Sequence, residues 1–130
     1  MELTMQKIND DNHAKMVTAY IVAMQWASTD FDGNSLEDYE LSEDAHQAAS
    51  VACARFMERH TSTMDLIMAI HSDYGYEQAG HDLFLNRERH GAGFWDRGLG
   101  HYGDVLSKYC DEIGACDPCV GDDNLIYMGE

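Results

Sequence analysis

Five of the chain's eleven glycines fall within residues 80–100, at Gly80, Gly91, Gly93, Gly98 and Gly100. Glycine at this density forces tight turns and holds planar and charged side chains close together. The same stretch carries Arg87, Arg89, Arg97, His81, His90, Asp82, Asp96, Phe94 and Trp95. Gly80 to Arg87 reads as a strand, with Leu83 and Leu85 on one face and Phe84 on the other. Glu88 to Gly91 reads as a turn and Ala92 to Asp96 as the returning strand. Phe94 and Trp95 are assigned to the core. If the strands pair, alternate residues on one face come within contact. That gives a candidate ligand site of His81, Asp82, Arg87, His90, Asp96 and Arg97. A purely structural role fits the same residues, with glycines turning the chain and arginines bridging its acids.

The flanking sequence is mostly helical. His13 to Ala27 places Met16, Val17, Tyr20, Ile21 and Met24 at three- and four-residue steps. Asp10, Asp11 or Asn12 caps its start. Residues 28–41 read as a loop around Asp32-Gly33-Asn34, which lacks the ligand spacing and closing Glu of a calcium loop. Ser42 caps a second helix to about His60, with Glu43 and Asp44 in its first turn. A third runs from Met64 to Tyr74, with Leu66, Ile67 and Ile70 inward and Gly75 at its end. A fourth runs from His101 to Ile113 and stops at Gly114. The tail turns at Asp122-Asp123-Asn124 as a short hairpin. The expected fold is α+β: about four helices packed on a small antiparallel sheet made of two β-hairpins. A chain of 130 residues makes a single domain, 1–130, of which 1–12 are polar and expected to be loose.

The net charge is −16, from 24 Asp and Glu against 8 Lys and Arg. Such a charge opposes binding to phosphate backbones and anionic membranes. It serves solubility, or it presents carboxylates to a partner with a basic surface. Seven acids lie between residues 30 and 44: Asp30, Asp32, Glu37, Asp38, Glu40, Glu43 and Asp44. A second set is Asp104, Asp111, Glu112, Asp117, Asp122, Asp123 and Glu130. A rigid array of this kind competes with DNA for a basic groove, whereas a loose one is a solvated face.

Cys53 lies in an apolar helical pattern and reads as a core residue. Cys110, Cys116 and Cys119 include one C-x-x-C, but no second pair repeats the spacing a zinc site needs, although His101 or His90 could add a ligand. Free thiols, no metal and no cofactor are the expectation. No Walker A, G-x-S-x-G or H-E-x-x-H motif occurs. No run approaches a membrane span, and the opening residues lack a signal-peptide pattern.

Gly80-His81-Asp82-Leu83-Phe84-Leu85-Asn86-Arg87, followed by His90-Gly91-Ala92-Gly93-Phe94-Trp95-Asp96-Arg97-Gly98-Leu99-Gly100, resembles a family of small acidic tailed-bacteriophage proteins. Val120 to Tyr127 and Ala19-Tyr20 to Gly33 extend the resemblance over most of the chain. It departs at Phe84, where the family pattern has Trp, and at Glu88-Arg89, where a shorter Asn-Gly turn is expected. The resemblance implies a phage context and raises host-directed inhibition. The expectation is a non-enzymatic accessory protein in the cytoplasm of an infected bacterium. Its partner is a host or anti-phage defence protein with a basic surface, bound through Asp30 to Asp44 as an acidic nucleic-acid mimic. It binds neither nucleic acid directly nor membrane. A small enzyme or ligand-binding domain built on the 80–100 cluster is the alternative, and a scaffolding role in phage assembly is a third possibility. Oligomeric state is left open.

Overall fold

The computed structural model describes residues 10–128. Within them lie four α-helices and one three-stranded sheet: α1 (Asp10–Ala27), β1 (Glu40–Leu41), α2 (Glu43–Ile70), α3 (Tyr76–Glu88), α4 (His101–Ile113), β2 (Pro118–Val120) and β3 (Leu125–Met128). The α+β class holds. Asp10, Asp11 and Asn12, expected to be loose, belong to α1; the expectation for residues 1–9 lies outside the described residues. Among the described residues no helix is long and apolar enough to cross a membrane.

The central hairpin does not form. Gly80 to Arg87 is the body of α3, and Phe94–Asp96 is a single 3₁₀ turn. The reason lies in burial. Gly80, Asp82, Leu83, Phe84, Leu85, Asn86 and Arg87 are all buried, so α3 is enclosed on nearly all sides over this stretch and shows no amphipathic period. A short apolar run of this kind cannot be told from a buried strand by pattern. Glu88 to Gly91 is the end of the helix instead. Arg89 takes a left-handed conformation, φ 58°, and the His90 N–H donates to the Leu85 carbonyl at 3.0 Å, closing the helix with its last carbonyls satisfied.

α3 lies against α1 at close range. A Cβ on Gly80 would collide with the Met16 carbonyl oxygen and stand 3.0 Å from the Ala19 Cβ. Small residues here let two helix backbones meet. Met16, Tyr20 and Met24 of α1 then pack into the core with Leu83 and Phe84, Tyr20 meeting the Phe84 ring edge-on at 5.6 Å.

α2 begins as its sequence indicates. The Ser42 hydroxyl accepts from the Ala45 N–H at 3.1 Å. The second and third expected helices are one long element broken at His60, whose φ and ψ are −127° and 22°. It ends at Ile70, short of Tyr74. The buried stripe of Phe56, Met57, His60, Met64 and Ile67 keeps its three- and four-residue steps through the break, which leaves Leu66 and Ile70 on the exposed face. The His60 ring sits 4.5 Å from Tyr109 and 5.1 Å from Phe56. Phe56 stacks in turn on Phe94 at 5.6 Å.

The tail hairpin forms as expected: β2 pairs antiparallel with β3, Cys119 opposite Tyr127. The sheet is nevertheless mixed. β1, read from sequence as loop, pairs in parallel with β3, Glu40 beside Leu125 and Leu41 beside Ile126. Strand order is β1-β3-β2.

Two predictions follow from this packing. Gly to Ala inside a helix ordinarily gains up to about 1 kcal/mol. At Gly80 the backbone collision reverses the sign, and Gly80→Ala should cost about 1–3 kcal/mol in urea unfolding. Increased stability would show that the helices do not approach this closely.

Burial, and then the charge of Arg59, hold the His60 imidazole below its ordinary value of 6.5, and its Nε2 is buried with no hydrogen-bond partner. The unfolded chain therefore takes up this proton more readily than the folded one. The stability contributed by neutral His60 is complete above about pH 6.5 and declines as pH falls towards the folded value. Unfolding measured between about pH 7 and about pH 5 should show that decline reduced in His60→Phe. An unchanged slope would exclude His60 as its source.

Candidate functional site

Asp82 is fully buried. Its carboxylate accepts hydrogen bonds from the Tyr74 hydroxyl at 2.7 Å, Gln78 Nε2 at 3.2 Å, and Arg97 Nε at 3.0 Å and Nη2 at 2.9 Å. A buried carboxylate needs such partners in order to stay charged. The carboxylate in turn holds the Arg97 guanidinium above its ordinary range. Burial, and then Asp82, push the Tyr74 hydroxyl well up, so it serves as a donor. Nothing in this arrangement leaves a lone pair directed at an outside ligand.

Arg87 is also buried but engages other groups. Its Nε donates to the Gly114 carbonyl at 2.6 Å and its Nη1 to the Tyr20 hydroxyl at 3.0 Å. The Tyr20 hydroxyl donates to Cys116 Sγ at 3.6 Å, and the Cys116 N–H to Glu88 Oε2 at 2.7 Å. This chain of contacts joins α1, α3 and the segment after α4. Burial pushes the thiols of Cys53, Cys110 and Cys116 up to about 12, against the opposing pull of Arg87. They are protonated at neutral pH and chemically quiet. Cys119 is exposed, and all four are free. Among the described residues no group of three or more His, Cys, Asp and Glu is placed to hold a metal ion.

The six candidate ligand-site residues therefore do not converge on one point. Asp82 and Arg97 pair. Asp96 accepts from the Gly93 N–H at 3.0 Å and lies 4.0 Å from Arg97 Nε. Arg87 serves a different contact set, and His90 is exposed. His81 is half-buried on the wall of a hollow of about 410 Å³ between the start of α3 and the first turns of α1, with Lys15, Tyr74 and Gln78 also lining it. Trp95 is 56% exposed, so its assignment to the core is wrong; Phe94 alone is buried from that pair. The 3₁₀ turn carries Phe94 into the core and leaves Trp95 largely in solvent.

Asn86 is a residue the sequence reading missed. Its Oδ1 accepts from the Phe94 N–H at 2.9 Å and the Ser107 hydroxyl at 3.0 Å. Gly93, at φ 153°, approaches so closely that a Cβ would strike the Asn86 side chain. The available signal was helical spacing: Gln78, Asp82 and Asn86 recur every four residues, and Gln78 does bond Asp82.

The acidic segment divides in two. Asp30 is structural. It accepts from the N–H groups of Asp32 and Asn34 at 2.9 Å each and from the Tyr39 hydroxyl at 3.0 Å. These bonds, that to Asn34 foremost, hold its carboxyl below the usual range. Asp32, Glu37, Asp38, Glu40, Glu43 and Asp44 are exposed, and none forms an ion pair among the described residues. The β1–β3 pairing sets Glu40 beside Leu125, just after the Asp122-Asp123 turn. Tyr127 donates to Asp123 at 2.6 Å and lies within the field of Asp44. Two acidic stretches far apart in sequence thus meet at one sheet. No protein-family model, curated protein or solved structure matches the chain.

Stability measurements separate scaffold from surface. Asp82→Ala leaves Arg97 without its partner and Tyr74 without its acceptor, and should cost about 3 kcal/mol or more. Phe94→Ala should cost about 3–5 kcal/mol, while Trp95→Ala should stay within about 1 kcal/mol because its ring is largely in water. A large loss at Trp95 with none at Phe94 would invert the assignment.

Proposed function

We propose that this chain is a non-enzymatic binding protein whose acidic face engages the basic surface of a nucleic-acid-binding partner. In the phage setting that the 80–100 motif implies, the partner is a host or defence protein and the consequence is its inhibition. The observation that carries this reading is the contrast between the two charged regions. The buried motif satisfies its polar groups internally, whereas Glu37, Asp38, Glu40, Glu43 and Asp44 stand in solvent and meet no counter-charge among the described residues. Glu40 lies on β1 and Glu43 and Asp44 in the capped first turn of α2, while Glu37 and Asp38 sit in the turn closed by the Tyr39 N–H on the Leu36 carbonyl at 3.0 Å. A fixed row of carboxylates resembles a row of phosphates to a groove lined with Lys and Arg.

A second reading has one observation in its favour. The hollow beside His81 and Lys15 is roomy enough for a small ligand. It makes the chain a ligand-binding domain, with His81 as the member of the 80–100 motif that reaches the site.

The test is competitive. The chain itself should show no binding to duplex DNA at physiological salt. A partner captured from host extract should release a labelled duplex when the chain is added, with a steep loss of effect as salt rises. Reversing Glu37, Asp38, Glu40, Glu43 and Asp44 to Lys should abolish displacement while thermal unfolding stays cooperative. Undiminished displacement by that variant would reject the acidic-face reading. Loss on His81→Ala instead would support the ligand-site reading.

A further inference from the structure

The chain has three times as many acids as bases, so an arginine that meets no carboxylate calls for a reason. Arg97 pairs with Asp82, and Arg89 lies 3.8 Å from Asp111. Arg55 and Arg59, on α2, form no ion pair among the described residues. Both lie near Tyr109. Arg55 lines a hollow of about 320 Å³ between α2 and α4, and the Arg59 guanidinium sits 5.6 Å from the centre of the Tyr109 ring at its edge.

The hollow has two kinds of wall. Val51 and Ala52 of α2 and Ile113 of α4 make an apolar side, and Ile113 is one of the few large aliphatic residues left 38% exposed. Arg55, with the buried Arg87 behind it, makes the cationic side. Tyr109 belongs to the same lining, and its hydroxyl makes no hydrogen bond among the described residues. Burial raises it, while the nearby positive charges of Arg59, Arg87 and Arg55 pull the other way, so at neutral pH it is a donor.

We propose that this α2–α4 groove is a binding site for a small monocarboxylic acid with a short aliphatic or aromatic body. The carboxylate would take the Arg55 guanidinium and the Tyr109 hydroxyl, and the body would cover Val51, Ala52 and Ile113. The volume lies at the lower end of small-ligand pockets, which begin near ~300 Å³. Inorganic phosphate fits poorly, because the apolar wall offers its other oxygens no donors. A neutral alcohol of the same length meets the wall but leaves the guanidinium unmatched. The proposal does not rest on the acidic-face reading, since it uses none of the same residues.

Hexanoate and benzoate are the probes, titrated into the isotopically labelled chain, with hexanol and inorganic phosphate as controls. The expected result is a saturable shift of the Val51, Ala52 and Ile113 amides with either acid. Hexanol should bind at least about tenfold more weakly, and phosphate should leave these amides unmoved. Arg55→Gln, at an exposed position, should keep the melting temperature and weaken hexanoate by about tenfold or more. Tyr109→Phe keeps the ring, and should weaken it less. Equal affinity for hexanol and hexanoate would overturn the proposal. So would an unaltered affinity in Arg55→Gln, or the absence of saturable shifts in the folded wild-type chain.

Discussion

Asp82, Asn86 and Arg87 lie inside the protein on the enclosed part of α3. Unpaired, each would cost several kcal/mol in lost hydration. Each instead ties down a different segment. Asp82 holds Tyr74 before α3 and Arg97 after the 3₁₀ turn. Asn86 holds the Phe94 backbone and Ser107 of α4. Arg87 holds Tyr20 of α1 and the carbonyl of Gly114. The central helix thus works as a polar axle inside an apolar core, and the surrounding segments take their positions from it. Such an arrangement contributes specificity more than raw stability, because an apolar replacement of equal shape could pack as tightly.

This account changes what the glycine-rich segment is for. Gly80 allows two helix backbones to touch, and Gly93 allows the chain to lie against Asn86. The arginines and aspartates between them are mostly engaged with one another or with backbone. A motif this idiosyncratic need not mark chemistry. It can mark a fold that leaves little freedom in how one helix is enclosed.

The sequence was legible where each element shows one face to water. α4, from His101 to Ile113, follows its apolar spacing and stops at Gly114. Ser42 announces α2, and Asp122-Asp123-Asn124 announces the tail hairpin. Legibility failed where burial removed the periodic signal, as at Leu83-Phe84-Leu85, and where Trp95 was weighed by its hydrophobicity rather than by the turn that carries it. It failed again at Glu40-Leu41, since parallel pairing with a remote strand leaves no local trace. The acids themselves were readable. Their meeting with Asp122 and Asp123 depends on that unreadable pairing. The α2–α4 groove was likewise hidden, because Arg55 and Tyr109 are brought together only by helix packing.

The two-residue strand β1 has a temporal consequence. Glu40 pairs with Leu125, 85 positions further along. Closing so long a loop is entropically costly and comes late compared with local helix formation. During synthesis α1 and α2 emerge well before β3 exists, and chains fold from the N-terminal side as they are made. The segment around Glu40 therefore has no strand to pair with until β3 has been made. A nascent chain that has not yet reached β3 carries Glu40 on an unpaired segment, while Glu43 and Asp44 are already placed by the start of α2.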